Sequence, residues 1–322
     1  MDRRFFTGRS SSALLTLLLP VVACACGSSS GTRGEKPLVV TTTGMIADMA
    51  AILVEGGARV QGLMGPGVDP HLFKASEGDV RRLAEADLIL YNGLHLEGKM
   101  VDILAKMGRS KHVVAVGESL PEDLLLHTAQ GQVDPHIWFD VSLWSRTMEA
   151  SVVALCDLLP ESAVGIRARA VKLQGELEVL DAWAREQIQQ IPERGRVLVT
   201  AHDAFGYFGR RYGIEVLGLQ GISTASEAGI RDVERLVDVI VGREVPALFV
   251  ESSVPRRSIE AVQAACRARG HEVSIGGSLF SDAMGAEGTE EGTYQGMVRH
   301  NVKAIVSALG RVAASPTPGV ER

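Results

Sequence analysis

Two Asp-Pro-His triplets stand in this chain, Asp69-Pro70-His71 and Asp134-Pro135-His136. Proline fixes its own φ and pushes the residue before it into an extended conformation. Each histidine therefore leaves a stiff corner in a defined direction. That suits a metal ligand, because coordination tolerates little positional error. A third histidine in Thr200-Ala201-His202-Asp203 and an aspartate in Phe280-Ser281-Asp282-Ala283 complete a candidate set of four: His71, His136, His202 and Asp282. Three imidazoles and one carboxylate suit zinc, and they accept manganese or iron when the aspartate is bidentate. Glu251 and Asp203 compete with Asp282 for the fourth place. Asp203 is expected to cap a helix starting near Ala204, and Glu251 to support the ligands from behind. His95, His112, His127, His271 and His300 lie in no comparable motif and read as surface or structural residues.

The rest of the chain must bring these four together. Its pattern alternates strands and helices, which implies a parallel sheet wound by helices. Leu38–Thr43, Arg59–Met64, Leu88–Tyr91 and Val113–Val116 read as strands, with helices over Ile46–Val54, Ser76–Glu85 and Leu96–Met107 between them. Asp140 caps a helix whose apolar positions, Val141, Trp144, Met148, Val152, Leu155 and Leu159, step by three and four. The longest helical pattern runs from Glu161 to Ile191 and stops at Pro192. At about 1.5 Å per residue, roughly thirty residues span about 45 Å, enough for a strut between two lobes. The competing reading is two helices broken near Gly175. Alternation then resumes, with strands at Arg196–Thr200, Ile214–Leu219, Ala247–Val250 and Glu272–Ile275 and helices at Phe205–Tyr212, Ser226–Gly242, Pro255–Arg269 and Thr293–Leu309. Two candidate ligands fall in each half. The fold class is thus α/β, two lobes of parallel sheet joined by one long backbone helix, with the site in the cleft between them.

The boundaries that follow are 1–23 for a lipoprotein signal peptide and 24–36 for a flexible tether. An N-terminal lobe covers 37–159, the linking helix 160–192 and a C-terminal lobe 193–312, with a disordered tail at 313–322. The leader reading rests on Arg3-Arg4, the short apolar run Ala13–Val22 and Val21-Val22-Ala23-Cys24, which resembles a bacterial lipobox. Cys24 is the expected acylation site and Cys26 the alternative. Arg3-Arg4-Phe5-Phe6 leaves a twin-arginine export route open beside the general one. Cys156 and Cys266 sit among apolar neighbours and read as buried free thiols. A net charge of −6 argues against nucleic acid as a partner. No zinc-finger spacing, P-loop or Gly-x-Gly-x-x-Gly after a strand is present.

The order of motifs resembles the metal-binding solute-binding proteins of bacterial ABC importers, the TroA-like group (cluster A-I) serving zinc and manganese. The matching pieces are Thr43-Gly44-Met45-Ile46, Asp69-Pro70-His71, Asn92-Gly93-Leu94-His95-Leu96-Glu97, Asp134-Pro135-His136-Ile137-Trp138, His202-Asp203-Ala204-Phe205-Gly206-Tyr207-Phe208, Glu251-Ser252-Ser253 and Ser281-Asp282-Ala283. The resemblance puts the ligands at His71, His136, His202 and Asp282. It implies two four-stranded parallel sheets, one divalent ion as cargo and a lipid-anchored monomer outside the cytoplasm. It also implies delivery to a membrane permease driven by an ATPase. Two features depart from the zinc and manganese subgroups. Glu118–Gln132 holds His127 alone where many zinc-dedicated members carry a His-rich loop, and His202 stands where many manganese-dedicated members have glutamate. The choice of metal stays open. A metal-dependent hydrolase is the competing class, but no His-Glu-x-x-His is present. A surface adhesin is another reading. A haem or chelate receptor would have no use for three converging imidazoles.

Overall fold

Leu38-Val39-Val40-Thr41 forms a fully buried strand (β1, Leu38–Thr41) at the middle of the first sheet. The computed structural model of the chain describes residues 35–310. Around β1 lie β2 (Arg59–Gly62), β3 (Leu88–Tyr91) and β4 (His112–Ala115), all parallel, in the order β2-β1-β3-β4. Alternate residues of each strand serve opposite faces. Val39, Leu88 and Leu90 face inward, toward α1 (Gly44–Val54) and α4 (Val141–Leu158). Leu38, Val40 and Ile89 face a separate outer layer under α2 (Glu77–Glu85) and α3 (Val101–Met107). The Asp140 side chain accepts from the backbone N–H of Ser142 and Leu143, the cap expected for α4.

The long helix is unbroken. After one 3-10 turn at Pro160–Ser162, α5 runs from Ala163 to Gln189 straight through Gly175, so the two-helix reading falls. Its buried stripe of Leu173, Leu177, Leu180, Ala184 and Ile188 packs against α4 and α9 (Tyr294–Leu309). In the second half, β5 (Val197–His202) pairs with β6 (Glu215–Gln220), and β7 (Ala247–Glu251) with β8 (Ser274–Leu279). The helices are α6 (Gly206–Tyr212), α7 (Ile230–Gly242) and α8 (Arg257–Ala268). Leu198, Ala247 and Phe249 face inward, while Val197, Val199, Leu248 and Val250 lie under α7 and α8. One hydrophobic core runs from the first sheet through α4, α5 and α9 into the second. From Lys36 onward the described chain is accordingly one compact unit, although it carries two sheets.

Several local expectations are corrected. The helix expected from Leu96 begins only at Val101. Gly93, Leu94 and His95 have positive φ (76°, 54° and 63°), and the chain continues in turns through Met100, with the Glu97 carboxylate folded back onto the N–H groups of Asn92 and Gly93. The helix expected from Ser226 starts at Ile230, where the Asp232 carboxylate accepts the Gly229 N–H. The last strand is Ser274–Leu279, later than Glu272–Ile275. The second half holds two parallel pairs in place of one four-stranded ladder. β5 lies beside β7, and where they meet the Glu251 carboxylate takes the His202 N–H that a ladder carbonyl would take. Cys156 and Cys266 are free and buried. Among the described residues no helix is long and apolar enough to cross a membrane. Residues 1–34 and 311–322 lie outside the described chain, and with them the leader, most of the tether, Cys24, Cys26 and the tail.

Candidate metal centre

His202 and Asp282 sit at or shortly after the ends of strands, whereas His71 and His136 lie in loops stiffened by their own triplets. His71 lies in the loop after β2. Its backbone N–H donates to Asp69 Oδ1 at 2.8 Å, closing a tight turn around Pro70. The second triplet repeats the turn: His136 N–H donates to Asp134 Oδ1 at 3.0 Å, and the chain enters a 3-10 turn at Ile137–Phe139 before α4. His202 is the last residue of β5. Asp282 follows β8 in a loop held by Asn301, whose amide brackets Phe280, donating to its carbonyl at 2.7 Å and accepting its N–H at 2.9 Å. Trp138 Nε1 donates to the Ser281 carbonyl at 3.0 Å, tying that loop to the second triplet.

The four side chains converge. One ligand atom from each of His71, His136, His202 and Asp282 lies within 4.8 Å of the others. His71 Nε2 faces His136 Nε2 at 3.2 Å, and the Asp282 oxygens lie 3.4 Å from His136 Nε2 and 3.3 Å from His202 Nε2. A tetrahedral ion with bonds of about 2.0–2.1 Å sets its ligand atoms about 3.3 Å apart, so these spacings fit one ion. The side chains of His136, His202 and Asp282 are fully closed off, and His71 retains 5% exposure. His202 Nε2 and Asp282 Oδ1 are buried without a hydrogen-bond partner. Buried polar atoms rarely go unpaired, and a cation among them would satisfy both.

The ring nitrogens facing away from the cluster are treated unequally. His136 Nδ1 donates to Asp134 Oδ1 at 2.7 Å, and His202 Nδ1 to Glu251 Oε2 at 2.5 Å. A carboxylate behind a histidine fixes its tautomer and leaves Nε2 free to coordinate. His71 Nδ1 has no such partner among the described residues. In the metal-free chain burial opposes the charged form of His136, but Asp134 and Asp282 outweigh it and lift its pKa to about 9. Burial likewise opposes charge on His202, and Glu251 and Asp282 raise it well above the usual value. Burial pushes His71 down to about 3. Asp282 is held well below the usual carboxylate range, because His202 and His136 outweigh the effect of its burial.

Asp203 stands outside the cluster and caps nothing: α6 begins at Gly206, with Phe205 before it and no side-chain cap. Glu251 is placed behind His202, as its strand-end position suggested. Of the other histidines, His95, His112 and His127 are exposed and His271 and His300 half-buried. Three residues that do positional work escaped sequence reasoning. Glu97 is buried in the turn after β3 and accepts from Thr42 Oγ1, Asn92 N and Gly93 N; Asn92 Nδ2 then donates to the Pro135 carbonyl at 3.1 Å, steadying the second triplet. Tyr207 donates to the Asp134 carbonyl at 2.9 Å from α6, in the other half of the chain. A glutamate inside an apolar stretch, Leu94-His95-Leu96-Glu97, was the available signal for the first; nothing in the sequence marks the reach of Tyr207.

Residues 39–308 match the family model described as ZnuA, zinc-uptake complex component A, periplasmic. The zinc-binding protein TroA of Treponema pallidum is 53% identical over 287 residues, covering 89% of this chain and 93% of that protein. Its solved structure matches with a TM-score of 0.84 at 54% identity, over 85% of this chain and 99% of that one. The manganese-binding lipoprotein MntA of Bacillus subtilis is 46% identical, covering 92% of this chain and 98% of the relative. The structure of Fe(III)-bound YtgA from Chlamydia trachomatis matches at a TM-score of 0.78 with 27% identity, over 85% of this chain and 98% of that one. With most of its length matched and the fold shared, the chain belongs to the ZnuA family of periplasmic zinc-uptake components.

Proposed function

We propose that this protein is an extracytoplasmic receptor that captures one divalent transition-metal ion on His71, His136, His202 and Asp282 and hands it to the permease of an ATP-driven importer. The observation that carries the reading is the convergence of three imidazoles and one carboxylate within 4.8 Å, two of the four contact atoms being buried and unpartnered. Four side chains around a tetrahedral ion leave no open position for water, which a hydrolase would need beside a general base. Donor chemistry favours zinc over manganese in vitro, because imidazole suits zinc and manganese prefers oxygen. The relatives named for zinc, manganese and iron leave the cellular cargo to be decided by availability as well. Attachment to the membrane through acylated Cys24, or Cys26, agrees with the lipoprotein name of MntA. The test is metal analysis of protein purified without added metal, followed by competition between zinc and manganese at one pH. One ion per chain and tighter zinc binding are expected. Absence of binding, or binding unchanged in His136→Ala, would overturn the assignment.

A further inference from the structure

Two cavities reach the ligands: Asp282, its side chain closed off, lines one of about 370 Å³ beside α1, and His71 lines the other. His136, His202 and Asp282 have no side-chain surface open to solvent, and only His71 keeps a small exposure. His71 opens onto a cavity of about 490 Å³, whose walls come from the turn after β3, the segment before His136 and the loop after β6. His95 lines the same cavity. Its residue is exposed, and its side chain has no hydrogen bond or ion pair among the described residues. The backbone holds it there against local preference, since Leu94 and His95 are consecutive non-glycine residues with positive φ. Such conformations persist only where surroundings over-determine them. Here Leu94 is buried in the core, and the Glu97 carboxylate grips the N–H groups of Asn92 and Gly93.

We infer that the cavity at His71 is the ion's way in and out, and that His95 is an outer imidazole on which a hydrated divalent ion docks before it passes to His71. This rests on the proposed function of the buried site. The chemistry is stepwise ligand exchange: His95 replaces one water of the hydrated ion, His71 replaces another, and His95 then leaves as the buried donors take over. No oxidation state changes, and the shed waters leave to solvent together with the protons that the ion displaces from the buried rings. A hydrated ion sheds water more readily one ligand at a time, and an intermediate stop lowers the barrier in both directions. His95 is absent from the final coordination set, so it sets rates and leaves the equilibrium alone.

The test is stopped-flow zinc binding and chelator-driven release, followed by intrinsic fluorescence. Trp138 is a built-in reporter, its ring centroid 5.3 Å from that of His136. His95→Asn is the chosen variant, because asparagine also tolerates the left-handed backbone and the change removes the imidazole without new strain. Association and dissociation should slow severalfold and by the same factor, with Kd and the melting temperature of the metal-free protein unchanged. His112→Asn, an exposed histidine outside the cavity, should leave both rates alone. Unchanged rates in His95→Asn, or a weakened Kd, would overturn the inference while leaving the buried site standing. A wild-type protein that binds no zinc would bring down both readings together.

Discussion

The two Asp-Pro-His triplets share a sequence and a turn, yet the fold uses them differently. Asp134 spends one oxygen on both the backbone and the ring Nδ1 of His136, so that this histidine is oriented entirely from behind. Its surroundings close the arrangement: Tyr207 and Asn92 hold the carbonyls of Asp134 and Pro135. Asp69 holds only the backbone of His71, and its second oxygen accepts from Thr224 Oγ1 at 2.5 Å, in the loop after β6 on the opposite side of the cleft. His136 is therefore fixed at its ring as well as its backbone, in a turn that Tyr207 holds from the other half. His71 is set by a contact between halves, and it is the ligand that meets the larger cavity. A motif that repeats in sequence has become one fixed ligand and one conditional ligand.

This contrast orders the expected effects. The largest belongs to His136→Ala. Ligand at a hundred times its dissociation constant stabilises a fold by about 2.7 kcal/mol, and this variant should lose most of the zinc-induced rise in melting temperature. His71→Ala should keep more of it, and equal losses would break the comparison. Next comes the carboxylate behind the ring. Asp134→Ala should cost about 10–100-fold in metal affinity, as is usual when a histidine ligand loses its orienting partner. Asp69→Ala should cost less at equilibrium, because His71 has no ring bond to lose. Isothermal titration of the two variants side by side decides this.

The pH dependence separates the triplets more finely. In the metal-free chain burial works against a charged His136, but Asp134 and Asp282 prevail and its pKa rises from 6.5 to about 9. A raised folded pKa gives stability that is fully present below 6.5 and is lost as pH climbs through about 9. The ion must displace that proton, so affinity should move the other way, rising by up to about tenfold per pH unit for each proton displaced. His71, pushed down to about 3 by burial, carries no competing proton in this window. Metal-free melting temperature should fall, and zinc affinity rise, between about pH 6.5 and 9. The slopes should become shallower in His136→Ala, where His202 alone keeps a raised pKa, and persist in full in His71→Ala; the reverse pattern would exchange the roles of the two histidines.

Much of this was legible in the residues because stiff local chemistry marked it. Both triplets, the strand that ends at His202 and the helix capped by Asp140 are written in short stretches whose backbone preferences agree with the fold. The break at 93–100 was not legible. Leu96–Met107 has helical composition, and what overrides its first turn is the buried Glu97 carboxylate, which accepts the N–H groups of Asn92 and Gly93 and the Thr42 hydroxyl. Pairing in the second sheet escaped for a related reason, since strand order depends on contacts between β5 and β7 that no local pattern records. Asp203 was misplaced because Asp before a helix is a common cap, and here the helix starts two residues too late to use it. Partners such as Tyr207 and Thr224, 73 and 155 residues away from the aspartates they serve, lie beyond any spacing rule.

The smallest expected effect bears most directly on the conditional ligand. Thr224→Val keeps the shape of the side chain and removes the hydroxyl that reaches Asp69. Hydrogen bonds to charged groups contribute about 1.5–3 kcal/mol, and partial solvent access around Asp69 places this one near the lower end. The neighbouring Ile222 and Ser223 line the cavity at His71, so loosening this loop loosens its wall. Only the loaded site needs that wall in place. The loss should therefore appear as faster release of zinc, by about tenfold or less for a change near 1.4 kcal/mol, with association nearly unchanged. Thr224→Ser restores the donor and should restore slow release. That signature differs from the one expected for His95→Asn, where both rates fall together and Kd stays put. Release from Thr224→Val at the wild-type rate would mean that the Asp69 bond is incidental and that His71 is as firmly preset as His136, which would remove the distinction between the two triplets.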